Sequence, residues 1–358
     1  MINLDDITVH GKYDTAGMRG QLHGFPQQCL MAWQKASTFR LPPDFREIDK
    51  IVILGMGGSA IGGDLLRSFA ADLPRPLIFV NREYSLPPFV DEKTLVIASS
   101  YSGNTEETLT TFKQALQSDC KKLAMTTGGR LQKIAEAAAV PVFRIEHVSP
   151  PRAALGYGLL PLIAFMCQLG FLPDMELLVR NSAAMLEKKL QSWGEDVSEE
   201  KNPAKALARQ LHGKMVVIYG AGILSEVAHR WATQINENSK AWAFHQSFPE
   251  LNHNAVVGYE FPAELIRYIF VVLLRSPSLH PRTLMRYGIT MEILQSRDIA
   301  YHIAEASGED SLSCMLSLIF LGDWVSYYLA ILYKIDPTPV RVIEGLKHKL
   351  GNIQNDLF

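Results

Sequence analysis

Two short stretches of this chain gather the residue types that hold anions. The first, Gly55-Met-Gly-Gly-Ser59-Ala-Ile-Gly-Gly-Asp64, follows the β-branched run 50–54. Glycines there tolerate positive φ and let a ligand approach the backbone, and the amides of a following helix start can bind a negative group. Read literally, Gly55-x-Gly57-x-x-Ala60 also fits the relaxed dinucleotide fingerprint, although any tight strand-to-helix turn asks for glycine. The second stretch, Ser99-Ser100-Tyr101-Ser102-Gly103-Asn104-Thr105-Glu106-Glu107-Thr108, follows the apolar run 95–98 and precedes a helical pattern. A helix cap needs one hydroxyl; several around a glycine give a phosphate neutral donors beside backbone amides. The loop holds no lysine and no Walker pattern, so it fits a monophosphate rather than a nucleoside triphosphate.

Four further positions can move protons. Glu237, in Gln-Ile-Asn-Glu-Asn-Ser-Lys, reads in isolation as a surface carboxylate beside Lys240. His253, in Glu-Leu-Asn-His-Asn-Ala, stands in a polar loop between apolar runs, and Lys347 and Lys349 ride a final helix. The histidines and the four cysteines form neither HExxH, CxxC nor another metal-ligand spacing.

The elements that must position these residues come next. Apolar runs at 50–54, 77–80, 95–98, 122–125 and 140–143 alternate with helix-length segments at 63–71 and 106–118, the pattern of βαβ units on a parallel sheet. The pattern then restarts. The run 215–219 enters Gly220-Ala-Gly222 as 51–54 entered Gly55-Met-Gly57, and 269–274 stands where 95–98 stood in the first copy. The expected fold class is therefore α/β, with two related domains, each a parallel β-sheet flanked by helices. The first spans 1–152, with roughly its first forty residues a helical lead-in ending at Leu41-Pro42-Pro43. A helical connection (153–200), a second domain (201–335) and a C-terminal helix (336–358) follow, with a long buried helix expected at 311–333. The second copy lacks the hydroxyl-rich loop: Ile223-Leu224-Ser225 follows its glycines, and Arg275-Ser276-Pro277-Ser278 follows its later strand. One phosphate site per chain is expected, in the first domain.

Composition excludes several classes. The chain has 358 residues, 47% hydrophobic and 20% charged, enough to bury two cores and too apolar for extensive disorder. Lys and Arg total 35 against 37 Asp and Glu, so no basic excess is available to grip nucleic acid. Four scattered cysteines fit a reducing, cytoplasmic setting rather than a disulfide scaffold. The first residues carry aspartates and no apolar core, unlike a signal peptide. Residues 153–172 carry no charge, but their glycines, Pro161 and Gln168 weaken them as a membrane span. No neighbouring segment is read as long enough, so this stretch is expected to be a buried helix and no membrane partner is expected.

The glycine turn with Ser59 and the SxSGxT loop together resemble the sugar isomerase (SIS) domain. Taken with Pro151-Arg152-Ala153, Asn236-Glu237-Asn238-Ser239-Lys240 and Glu250-Leu-Asn-His253-Asn254, they resemble the bifunctional phosphoglucose/phosphomannose isomerase family over most of the chain. The resemblance implies two SIS domains and an aldose–ketose isomerase that interconverts glucose 6-phosphate and mannose 6-phosphate with fructose 6-phosphate through a cis-enediol. It implies Gly57, Gly58, Ser59, Ser100, Ser102 and Thr105 around the 6-phosphate, Arg152 beside the reacting carbons, and Glu237 as the base. Ring opening would fall to His253 and a C-terminal lysine: Lys347 fits best, with Lys349 two residues away. A homodimer is implied, His253 reaching the site of the neighbouring subunit. No cofactor and no metal are expected.

Elementary chemistry runs parallel to the resemblance. Moving a carbonyl between C1 and C2 needs a carbon-bound proton removed and returned one carbon away, which a single carboxylate can do; a positioned base contributes ~10²–10⁴ in rate. An arginine over the developing enediolate lowers that barrier electrostatically. Imidazole, with a reference pKa of about 6.5, suits proton exchange with a sugar hydroxyl. Two other readings compete. A non-catalytic phosphosugar-binding SIS regulator asks for a DNA-binding module and a basic patch. A nicotinamide-dependent dehydrogenase asks for an acid about twenty residues past the glycine turn, where Glu83 falls slightly late, and leaves residues 99–105 unexplained. An amidotransferase isomerase half would be missing its glutaminase segment.

Overall fold

In the computed structural model, which describes residues 2–352, two all-parallel sheets carry the chain. The first has the order β2-β1-β3-β4-β5, with β1 (Lys50–Leu54), β2 (Leu77–Asn81), β3 (Thr94–Ser99), β4 (Lys121–Thr126) and β5 (Val142–Arg144). The second is β7-β6-β8-β9, with β6 (Met215–Ala221), β7 (Ala243–Phe248), β8 (Ile269–Arg275) and β9 (Ala300–Glu305). Central strands β1, β3 and β8 are near-continuous apolar runs because helices cover both faces of each sheet. Edge strands β7 and β9 were not expected from sequence. Ala243-Phe-His-Gln-Ser-Phe248 is largely exposed, so no unbroken apolar run marks it.

Each sheet reverses its strand order once, between β1 and β3 in the first and between β6 and β8 in the second. Crevices open at such reversals, at the carboxyl ends of the strands. The helix after β1 spans Gly57–Phe69 and starts earlier than the expected 63, because Gly57 turns at φ +48° and the helix absorbs the remaining glycines. That shift puts Gly57, Gly58 and Ser59 in a first helical turn, where the leading amide N–H groups lack i−4 acceptors, although Ser59 N–H donates to the Met56 carbonyl at 3.0 Å.

The uncharged segment is the buried helix Leu155–Gln168, packed between Phe25–Thr38 and Gly57–Phe69. The approach is close: a Cβ on Gly62 would stand 2.2 Å from the Gly158 carbonyl oxygen. The helix Ser311–Leu332 is longer still. By length and composition alone it is apolar enough to cross a bilayer, with mean hydropathy 1.6, and it lies where a long buried helix was expected. It serves here as core: its apolar stretch is wholly buried, against Glu176–Trp193, Pro203–Leu211 and Ser225–Ser239. One continuous apolar core runs through both sheets, so the two halves do not float independently. Two catalytic candidates from different halves can therefore be held in fixed geometry.

Candidate active site

Register brings the two loops together. Leu54 pairs with Ala98, so the chains leaving β1 and β3 emerge side by side. Ser59 Oγ accepts the Tyr101 backbone N–H at 3.0 Å, and Ser99 Oγ donates to the Ser59 carbonyl at 3.0 Å. Ser100 Oγ and Thr105 Oγ1 lie 2.8 Å apart, while exposed Ser102 accepts the Asn104 N–H at 3.2 Å. Gly103 is required twice: it sits at φ +67°, and a Cβ would stand 1.8 Å from the Gly128 carbonyl oxygen. Thr105 is the N-cap of Glu106–Leu116 yet makes no side-chain capping bond, and Met56, the cap of Gly57–Phe69, has no hydroxyl or carboxylate to offer. Two helix starts without side-chain caps therefore face one loop cluster, an arrangement suited to a phosphate dianion.

Arg152 connects this cluster to the second half of the chain. It lies in the short turn Pro151–Ala153, only 3% exposed. Its backbone presses on the first helix, for a Cβ on Gly58 would stand 2.9 Å from Arg152 N. Four of its five N–H donors have protein acceptors. Nε donates to Asn238 Oδ1 at 2.6 Å, Nη2 to the Pro337 and Thr338 carbonyls at 2.7 Å each, and Nη1 to Glu237 Oε2 at 3.5 Å. Burial pulls the Arg152 pKa below the ordinary guanidinium range, and Glu237 opposes that shift. A guanidinium so held keeps its charge and its orientation without side-chain freedom.

Glu237 and Asn238 come from the last turn of the helix Ser225–Ser239. The Glu237 side chain keeps 26% of its surface exposed, enough to meet a ligand. Lys240 ends that helix at φ +50°. Sequence proximity pointed to a Glu237–Lys240 pair, but the ion pair of Glu237 is with Arg152. Lys240 Nζ donates instead to the carbonyls of Asn238 (3.2 Å), Asp336 (2.8 Å) and Pro337 (2.9 Å). Burial, seconded by the Arg152 charge, pushes the Lys240 amine down to about 8.

A cleft of about 40 Å³ gathers Gly57, Gly58, Arg82, Arg152, Gln234 and Glu237 in its wall. A larger cavity, about 660 Å³, also has Glu237 in its wall, with Lys240, Trp242, Asp336 and the first residues of the helix Arg341–Asn352. The fold thus brings together Gly57, Gly58, Arg152 and Glu237, with Ser59, Ser100, Ser102 and Thr105 in the adjoining loops. It does not bring His253 to them within one chain. His253 is exposed at the end of the turn Glu250–His253 and lines neither cavity. Lys347 and Lys349 are exposed further along Arg341–Asn352 and line neither cavity.

Several site residues were not singled out from sequence. Arg82, at the end of β2, pairs with buried Asp64. A dinucleotide site would want an acid at that strand end, and Glu83 is exposed while the cation lines the cleft. Asp64, Glu226 and His229 bring ligand atoms within 4.8 Å of one another. Both carboxylates are already neutralised by Arg67 and Arg82, with Arg67 Nη2 2.6 Å from Glu226 Oε1. This grouping comes from two helices in different halves, which no local spacing encodes. Arg230 and Gln234 did carry a signal: with Glu237 they recur at helical intervals on one face.

Residues 200–350 match the family model described as the bacterial phospho-glucose isomerase C-terminal SIS domain. The chain is 41% identical to a bifunctional phosphoglucose/phosphomannose isomerase of Caldicellulosiruptor bescii, across 93% of this chain and 99% of that protein. It is 34% identical to the protein of the same description from Aquifex aeolicus, over 84% and 90% of the two chains. In fold it is similar to a glucose-6-phosphate isomerase-like protein of Thermus thermophilus, with TM-score 0.64, 19% identity, and coverage of 95% and 99%.

Proposed function

The chain belongs to the bifunctional phosphoglucose/phosphomannose isomerase family, and from that premise we propose how its SIS-type halves perform the isomerisation. It is an intramolecular oxidoreductase that interconverts glucose 6-phosphate and mannose 6-phosphate with fructose 6-phosphate. The observation that carries the mechanism is the meeting of Glu237 and Arg152 in a cleft whose wall includes the first helical turn after β1. The 6-phosphate rests on Gly57, Gly58, Ser59, Ser100, Ser102 and Thr105, leaving C1 and C2 beside Glu237. Glu237 removes the C2 proton of the aldose and returns it to C1, passing through a cis-enediol. Arg152 stabilises the enediolate oxygens; being pinned by Asn238 and two carbonyls, it needs no reorganisation as charge develops.

Ring opening precedes this step. We assign it to His253 and Lys347, with Lys349 the alternative lysine. Exposure of His253, away from both cavities of its own chain, supports its delivery to the site of a second copy in a homodimer. Exposed apolar residues Trp242 and Phe244, the latter on β7, give such a contact apolar surface shortly before it in the chain. Unpaired Cys29, Cys120, Cys167 and Cys314 suit a cytoplasmic setting, where sugar phosphates are handled. The test is a coupled assay from fructose 6-phosphate that reads glucose 6-phosphate and mannose 6-phosphate separately. Appearance of both supports the reading; tight phosphosugar binding with no turnover of either sinks it and favours the regulator.

A further inference from the structure

The helix Ser225–Ser239 presents Arg230, Gln234 and Glu237 on one face, and all three line the cleft. Arg230 is 2% and Gln234 3% exposed. Both are anchored by Asp323 from the long core helix. Arg230 Nη2 donates to the two Asp323 oxygens at 3.0 and 2.9 Å, and Gln234 Nε2 donates to Asp323 Oδ1 at 2.8 Å. A carboxylate facing a guanidinium only accepts, so the Gln234 amide is fixed with its nitrogen toward Asp323 and its oxygen turned away. That oxygen, Gln234 Oε1, has no hydrogen-bond partner, and neither has Arg230 Nε. Buried polar atoms are seldom left so, because each carries its desolvation cost uncompensated. Here one acceptor and one donor, held rigid by the same carboxylate, belong to two residues that line the cleft.

We propose that Gln234 and Arg230 read one sugar hydroxyl, on C3 or C4 of the substrate: the hydroxyl donates to Gln234 Oε1 and accepts from Arg230 Nε–H. A hydroxyl is the group that can do both at once. The remaining substrate groups are spoken for: the phosphate by the loops after β1 and β3, the C1 and C2 oxygens by Arg152 and Glu237, and the C5 oxygen, which takes the proton when the ring opens, by the ring-opening pair. The wall one helical turn before Glu237 faces the middle of the sugar. This assignment rests on the isomerase reading above and gives that site its selectivity for a polyhydroxylated substrate. Sites built to hydrogen-bond a hydroxyl reject the analogue lacking it, because their own buried groups are then left unpaired.

The experiment measures kcat/KM of the wild-type enzyme for glucose 6-phosphate, 3-deoxyglucose 6-phosphate and 4-deoxyglucose 6-phosphate, and repeats the series with Gln234→Met. One deoxy analogue should lose roughly 10- to 100-fold in the wild type. Gln234→Met should lose a similar factor on glucose 6-phosphate and no longer distinguish that analogue. If the wild type turns over both analogues as well as the parent sugar, the proposal is overturned without reference to any variant, so a misfolded Gln234→Met cannot shelter it. If a folded Gln234→Met keeps the full discrimination, the hydroxyl is read elsewhere and the proposal is equally overturned. Should the wild type fail on glucose 6-phosphate itself, it is the isomerase reading that falls.

Discussion

Gly55-Met-Gly57-Gly58 after β1 and Gly220-Ala-Gly222-Ile223 at the end of β6 occupy equivalent places in the two halves. Each follows the strand beside the order reversal, and each sets a glycine at positive φ, +48° at Gly57 and +51° at Gly222. Beyond that glycine they diverge. In the first half the helix starts at once and Gly58 admits the Arg152 backbone where a side chain would stand. In the second, Ile223 takes that position, a short turn Gly222–Leu224 intervenes, and the helix waits until Ser225. The loops opposite differ in the same sense. Ser100 and Thr105 bond each other beside exposed Ser102, whereas Ser276 is wholly buried, bonded to Ser278 and to Cys314 of the long core helix. Two copies of one backbone thus keep their crevice or lose it according to what fills the strand ends. The second half, its crevice closed by protein, contributes the far end of its helix instead, where Glu237 stands.

The sharpest way to break this division of labour is Glu237→Gln, which keeps the shape and removes the basic oxygen. Turnover should fall by ~10²-fold or more while phosphosugar binding, supplied by the other half, persists. Steady-state kinetics with a direct binding measurement reads both, and near-normal turnover would remove Glu237 as the base. In D₂O the wild type should place deuterium at C2 of the aldose phosphate.

Gly58→Ala is the next largest. Its methyl would meet backbone at 2.9 Å, so Arg152 must move. A displacement of that kind should cost roughly 10- to 100-fold in kcat, with KM for the phosphosugar changing less. An unaltered kcat would show that Arg152 does not need its present place.

Smaller effects should separate the two loops. Ser102→Ala and Thr105→Ala should each raise KM more than they lower kcat, by a hydroxyl-to-dianion bond of about 1.5–3 kcal/mol. Ser278→Ala, at the corresponding loop of the second half, should leave KM unchanged. Equal effects from all three would erase the distinction between an open and a closed crevice.

The smallest expected effect concerns pH. Lys240 sits at about 8 in the folded chain against its ordinary 10.5, so between these values the unfolded chain holds a proton that the folded chain lacks. Stability rises with pH where the unfolded state binds more protons. The Lys240 charge therefore weighs fully against folding below about pH 8 and is relieved toward 10.5. Urea titrations of wild type and Lys240→Gln should show wild type gaining on the variant across that window. A constant difference would mean that Lys240 is not desolvated against Arg152.

Much of this was legible in the amino-acid order. Apolar runs marked the central strands because burial on both faces leaves little choice of residue, and the glycine and hydroxyl loops stood out because close backbone approach restricts residue type locally and clustered hydroxyls are more than a helix cap needs. Strands β7 and β9 stayed hidden, since sheet edges face solvent and carry no such restriction.

The sequence by itself determined two parallel sheets, a single glycine- and hydroxyl-rich loop pair in the first half, and the candidate set Arg152, Glu237 and His253. Only the tertiary structure decided that Arg152 pairs with Glu237 rather than Lys240 doing so, and that Arg230 and Gln234 each keep a polar atom free while gripping Asp323. The reason is physical. Loop chemistry and strand burial depend on neighbours a few residues away, whereas those pairings join segments 85 to 93 positions apart and exist only once one core has locked both halves together.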